Sequence, residues 1–234
     1  MVNKSRTAAS IAALVLATAA AGPAAAAISP YTALALPTLT SNITTWSDGG
    51  AYAPLFPSSE QTFDGVPFKF ASDAAGNNVF INGTLTIDVG QYGVTRAYAI
   101  VDSAFGSQGA TIGSLTFHAA GGDRYTVDLV EGLNIRDHYY GSFVNTTSDP
   151  HLTQAVWGVN APGHAHLDML EIVLPSSFAR DTLTSMTFES PGVAGGSPFL
   201  AAATVTTAPV PLPAAVWLLG SALGSLGCAA KRRG

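Results

Sequence analysis

Over residues 79–89 the chain alternates, with Leu85, Ile87 and Val89 on one side and Thr84, Thr86 and Asp88 on the other. That period of two buries one face of a strand and wets the other. Short segments of similar kind recur along the body with Gly, Asn, Asp and Pro between them, and no long amphipathic-helix spacing interrupts them. A body of this kind buries its apolar faces by stacking sheet against sheet. Residues 96–102 are mostly apolar (Ala97, Tyr98, Ala99, Ile100, Val101), which fits a central strand covered on both faces. The clearest hairpin joins 113–118 to 124–130 across Gly121-Gly122, with Leu115 and Phe117 packing from one strand and Tyr125, Val127 and Leu129 from the other. Further strands are expected at 154–159, 169–174 and 183–189. Residues 62–70, which contain Pro67, suit an edge strand or a strand start, and the loop 72–78 turns the chain. The expected fold is all-β, an antiparallel two-sheet β-sandwich, with a jelly roll preferred to a closed barrel.

The two ends read differently from the body. Lys4 and Arg6 precede an apolar run at 8–21, a Gly22-Pro23 break and small residues up to Ala27. This is the order of a secretory signal helix, cleaved after Ala27, so the Sec translocon and signal peptidase are expected partners. Residues 28–60 form an irregular lead-in with isolated aromatics (Tyr31, Trp46, Tyr52, Phe56) and room for one short strand, and 61–207 form the sandwich domain. The tail, 208–234, carries Val210, Pro211, Leu212, Pro213 and Ala214, an apolar run at 215–230, and Lys231, Arg232 and Arg233. An apolar transmembrane helix closed by three cations stops in a bilayer with its basic end in the cytoplasm.

Setting the ends aside exposes the charge of the body. Of 10 basic residues, Lys4, Arg6, Lys231, Arg232 and Arg233 lie in the ends, so five remain against all 15 acidic residues, a net −10. Such a body repels phosphate backbones, which excludes nucleic acid as a partner. The lone cysteine, Cys228, lies in the tail, leaving the body without disulfides or a thiol nucleophile.

Two family resemblances rest on these segments. The tail, from Val210 through Pro211-Leu212-Pro213-Ala214-Ala215-Val216-Trp217-Leu218-Leu219-Gly220 to Lys231-Arg232-Arg233, resembles the VPLPA variant of the PEP-CTERM sorting domain. The resemblance implies recognition by an exosortase and cutting near the proline motif. It also implies export across the inner membrane of a Gram-negative bacterium, transient anchoring through the C-terminal helix, and residence at the cell surface or in a polysaccharide-rich biofilm matrix. The body, through Phe63-Asp64-Gly65-Val66-Pro67-Phe68, the 113–128 hairpin, Gly132-Leu133-Asn134-Ile135-Arg136-Asp137-His138-Tyr139 and Ala155-Val156-Trp157-Gly158, looks like the galactose-binding-like β-sandwich domains attached to polysaccharide-active enzymes. His138-Tyr139 stands where a Trp is commoner, and the resemblance carries no fixed ligand set.

The segment Asn134, Arg136, Asp137, His138, Tyr139 and Tyr140 concentrates amide, guanidinium, carboxylate, imidazole and phenol groups. Sugar sites use that mixture, with aromatic faces against ring C–H surfaces and forked polar groups on hydroxyls. The competing reading is that Arg136 and Asp137 tie the loop to the sandwich. Trp46 and Trp157 read first as core or rim aromatics, and Trp157 joins the candidate ligand set. His164, His166 and Asp168 recur every second residue, which in a strand would point all three at one divalent ion. Pro162-Gly163 point instead to a loop with solvated histidines, so no metal ligands are assigned. Calcium held by Asp73 with Asn77 and Asn78 is left open, and no other cofactor is expected. Scattered carboxylates such as Asp128, Glu131 and Asp137 form no catalytic constellation, and no GxSxG, HExxH or phosphate loop occurs. The expected function is a non-catalytic exported surface or matrix protein that binds extracellular polysaccharide. The alternatives are a purely structural matrix component and a small glycan-active enzyme.

Overall fold

The computed structural model describes residues 29–46, 49–52 and 56–207. The expected signal segment with its cleavage point at Ala27, and the sorting tail at 208–234, lie outside the described residues. Among those residues no helix is long and apolar enough to cross a membrane.

Among the described residues twelve strands follow one another: β1 (Tyr31–Leu34), β2 (Glu60–Phe63), β3 (Val66–Lys69), β4 (Phe80–Ile81), β5 (Gly83–Tyr92), β6 (Val94–Ala104), β7 (Thr111–Ala119), β8 (Arg124–Val130), β9 (Leu152–Gly158), β10 (His166–Val173), β11 (Thr182–Ser190) and β12 (Ser197–Thr207). Helical content among the described residues is confined to short 3-10 turns at Ile43–Thr45, Gly49–Tyr52 and Phe178–Arg180. One sheet has the order β1-β12-β6-β10-β9, with β4 also on β12; the second has the order β5-β11-β7-β8; β2 and β3 pair by themselves. Every ladder is antiparallel, so the all-β antiparallel architecture is as expected.

The two larger sheets share one apolar core. Ala97 and Val101 of β6, Leu170 of β10 and Val205 of β12 meet Leu85, Leu115, Phe117 and Phe188 of the other sheet. A second core covers the outer face of the first sheet. There Ile43, Tyr52, Phe63, Phe68 and Phe70 pack on Ile100, Leu167, Met169 and Phe199. The first sheet is therefore apolar on both faces, and its central strand β6 is buried from Ala97 to Ala104.

Three sequence expectations are corrected by this arrangement. The alternating run at 79–89 is two strands: Asn82 adopts φ 60, its N–H is held by Ser190 Oγ, and the chain passes there from β12's sheet to β11's sheet. Residues 62–70 belong to a tight hairpin, because Asp64 (φ 48) and Gly65 (φ 81) supply the two left-handed positions of a two-residue turn that matches strand twist. The third is β12, which has no counterpart in the sequence reading. It is buried from Pro198 to Thr206, so it carries no alternation to detect.

The lead-in is part of the fold. β1 caps the edge of β12, Asn42 Oδ1 caps the first 3-10 turn through the Thr44 N–H, and Asn78 Oδ1 accepts from the Ile43 N–H. Ile43→Ala is expected to lower unfolding free energy by about 2–5 kcal/mol in urea titrations, as for a core aliphatic truncation, whereas a loosely attached lead-in would change it by under ~0.5 kcal/mol.

Candidate functional site

The segment 134–140, singled out by its chemistry, runs alongside the end of β6. Ser103 N–H donates to the Arg136 carbonyl, and His138 N–H donates to the Ser103 carbonyl, each at 2.9 Å. The segment is thereby fixed to the central strand, and most of its polar side chains point inward. Asn134, Arg136, Asp137 and His138 are each no more than 5% exposed.

Each of the four has an internal role. Asn134 bridges the turn after β8, accepting from Val130 N–H and donating to the Asp128 carbonyl. Arg136 grips Asp168 of β10 with a fork, Nε to Oδ2 at 2.6 Å and Nη2 to Oδ1 at 2.9 Å, while Nη1 donates to the Asn145 carbonyl and to Asn160 Oδ1. Burial opposes the guanidinium charge, but the Asp168 carboxylate outweighs it and holds Arg136 above its ordinary pKa. Asp137 accepts from the backbone N–H of Phe105 and of Tyr139. His138 lies among Trp46, Tyr52 and Phe199, stacked on Tyr52 at 5.6 Å between ring centroids. Tyr52 gives its single hydroxyl proton to the His166 carbonyl at 2.6 Å, so His138 Nδ1–H is the donor to Tyr52 Oη.

Tyr139, Tyr140 and Trp157 are half-buried. Tyr139 and Trp157 lean on the outer core, with Trp157 edge-on to Phe63 at 6.1 Å. Beside Trp157 a shallow groove of about 420 Å³ is lined by Thr62, Phe63, Asp64 and residues 153–156.

Two residues that the sequence reading passed over stand out on the surface. Phe105 and Phe143 form an edge-to-face pair with centroids 5.4 Å apart, although they are 59% and 44% exposed. Phe105 takes φ 63, a conformation unfavourable for a bulky residue, and the Asp137 carboxylate holds it there through the Phe105 N–H at 2.7 Å. Asp137 N–H also donates to the Val144 carbonyl, next to Phe143, so one acidic residue positions both aromatics. Nothing in the local sequence marks this pair, because the contact joins the end of β6 to the loop before β9.

A second buried cluster lies where β6 meets β10. His164 is exposed in the loop before β10, whereas His166 and Asp168 are buried within the strand, and the third group is Asp102 of β6 rather than His164. The β9–β10 register shifts at Asp168, and Ala155 opposite takes φ 51, turning its N–H onto Asp168 Oδ1 at 2.7 Å. Asp102 Oδ2 accepts from the Asp168 N–H at 3.0 Å. One donor atom from each of Asp102, His166 and Asp168 lies within 4.8 Å of the others. Burial and the Asp168 charge raise the Asp102 pKa well above the ordinary carboxylate value, and burial depresses His166 to about 4, which leaves the imidazole neutral at pH 7.

Asp73, considered for calcium, directs its carboxylate to Asn77 Nδ2 and to the backbone N–H of Ala75 and Asn77, and these bonds, led by the Asn77 side chain, lower its pKa. Asn78 faces inward on Ile43 and Asn42, so the three residues do not converge on one point. No protein-family model matches the chain, and no curated protein matches it.

Glu131 is fully buried, and neither carboxylate oxygen has a hydrogen bond of good geometry. Burial drives its pKa up to about 8, with Ser103 opposing and Asp137 adding to the rise. Between about 4.5, where an unfolded Glu titrates, and about 8, the folded chain holds the extra proton, so this contribution to stability falls as pH rises. Glu131→Gln is expected to flatten the stability loss between about pH 6.5 and 9 and to gain on the order of a few kcal/mol at the upper end, read from urea unfolding at both pH values.

Proposed function

We propose that the protein is an exported surface or matrix component of a Gram-negative bacterium, anchored and processed through its VPLPA tail, whose sandwich holds carbohydrate without transforming it. The observation that carries the binding part is the exposed Phe105–Phe143 pair, kept in place by a buried carboxylate at the cost of an unfavourable backbone angle. Rigid aromatic faces at a loop end suit the C–H surfaces of sugar rings. The half-buried Tyr139 and Tyr140, in the loop that carries Phe143, and Trp157 on β9 are further candidate aromatics. Asn134, Arg136, Asp137 and His138 act as the frame behind it, since their polar atoms are directed into the protein.

The two antiparallel sheets packed on one core, of six and four strands, and the change of sheet at Asn82 support the finer reading of a jelly roll of the galactose-binding-like kind. The acidic, cysteine-free body between two targeting segments supports export, the exosortase as partner, and a surface or matrix destination.

Binding is tested by titrating the host's purified exopolysaccharide against the wild type and the Phe105→Ala and Phe143→Ala variants. Each truncation is expected to weaken binding roughly fivefold or more with unfolding midpoints little changed, because both side chains are exposed. Equal affinities for all three proteins, or no binding by the wild type, would leave the purely structural matrix component as the reading. For sorting, the chain is expected to shorten near Pro211 in cells that hold the exosortase and to stay full length and membrane-bound without it. A full-length membrane form in both cells removes the exosortase from the account.

A further inference from the structure

The cluster between β6 and β10 contains three buried polar atoms that the protein leaves without hydrogen bonds of good geometry: Oδ1 of Asp102 and both ring nitrogens of His166. Both side chains have no solvent exposure. Buried polar atoms are matched in nearly all native structures; the Asp137 backbone is within reach of the His166 ring, and the Asp102 oxygen and the remaining imidazole nitrogen call for an occupant. We propose that Asp102, His166 and Asp168 form a structural site for one divalent first-row transition metal of the zinc or manganese kind.

The donor set is the first reason. One imidazole nitrogen and two carboxylates suit zinc or manganese, whereas calcium and magnesium seek all-oxygen shells. Spacing is the second. The three donor atoms lie within 4.8 Å of one another, and a tetrahedral ion with bonds near 2.0–2.1 Å holds its donors about 3.3 Å apart, so closure needs movements of up to about 1.5 Å.

The surrounding shell is the third reason. Metal-ligating carboxylates are themselves held by hydrogen bonds. Asp168 is gripped by the Arg136 fork and by Ala155 N–H, which take three of its roughly four acceptor positions and leave one. Asp102 uses Oδ2 for the Asp168 N–H and keeps Oδ1 clear. The β9 bulge opposite Asp168, at residues 154–156, turns the Ala155 N–H onto this carboxylate and helps fix its direction. His164, adjacent in the sequence motif, is outside the site.

The test uses the full chain carrying Cys228→Ser, so that no thiol competes, stripped of metal with a chelator and titrated with Co²⁺ as a spectroscopic probe. One Co²⁺ per chain, giving visible absorption bands and displaced by Zn²⁺, is the expected result. Zn²⁺ at 100 times its Kd is expected to raise Tm by about 5–10 °C. Asp102→Asn retains an acceptor for the Asp168 N–H and a near-identical shape, so it is expected to fold, shown by unchanged far-UV circular dichroism, yet to bind Co²⁺ at least tenfold more weakly. His164→Ala is expected to bind as the parent does. Absence of Co²⁺ and Zn²⁺ binding on the order of 100 µM, or undiminished binding by folded Asp102→Asn, overturns the assignment and leaves buried water as the occupant.

Discussion

A guanidinium sealed from water has to find its partners in the protein, and Arg136 finds them in three separate segments. Its fork closes on Asp168 in β10, and its remaining amine reaches the Asn145 carbonyl and Asn160 Oδ1 in the loops on either side of β9. A buried ion pair of this kind contributes little net stability compared with a well-packed apolar pair, yet removing one member strands a charge. Its effect is on geometry: the long loop before β9, the bulge opposite Asp168 and the end of β6 take up one arrangement together. Asp137, next in sequence, carries that arrangement outward to Phe105 and Phe143.

The same constraint runs through the whole first sheet. With one core on its inner face and the aromatic layer of the lead-in and the β2–β3 hairpin on its outer face, any polar side chain there is cut off from water. Tyr52 and His138 meet this by exchanging bonds with each other and with the His166 backbone. Thr204 meets it by donating to the Pro67 carbonyl across to the hairpin. The lead-in thus completes a layer, although its sequence has no periodic pattern of its own.

How much could be read from the sequence follows from which strands keep a wet face. β5 keeps a wet face, and β7 alternates Ser114 and Thr116 with Leu115 and Phe117 although all four are buried, so Leu85, Ile87, Leu115 and Phe117 are legible as core. β12 lacks a wet face, and its Ala- and Thr-rich run imitates a linker leading into the apolar tail. The polar segment at 134–140 was legible as special through its composition, but its direction was not. Whether Arg136 faces solvent or Asp168 depends on a partner 32 residues away. Phe105 looked ordinary because its strain and its partner Phe143 are both set by tertiary contacts. The alternation of His164, His166 and Asp168 is legible but points to a solvated loop beside Pro162-Gly163, and Asp102, on the neighbouring β6, joins His166 and Asp168 only through the β6–β10 ladder.

β12 runs antiparallel to β6, with Thr207 opposite Val94 and Ser197 opposite Ala104. Phe105 therefore lies at the far end of this strand pair from Thr207, a separation of roughly 30 Å at the usual rise per residue. Thr207 N–H also bonds the Pro30 carbonyl, so the described body begins and ends at the same pole. A tether at that pole, as proposed above, would leave the Phe105–Phe143 pair at the opposite end of the β6–β12 strand pair. Such an arrangement would let neighbouring molecules crowd side by side on a surface while each keeps that end accessible.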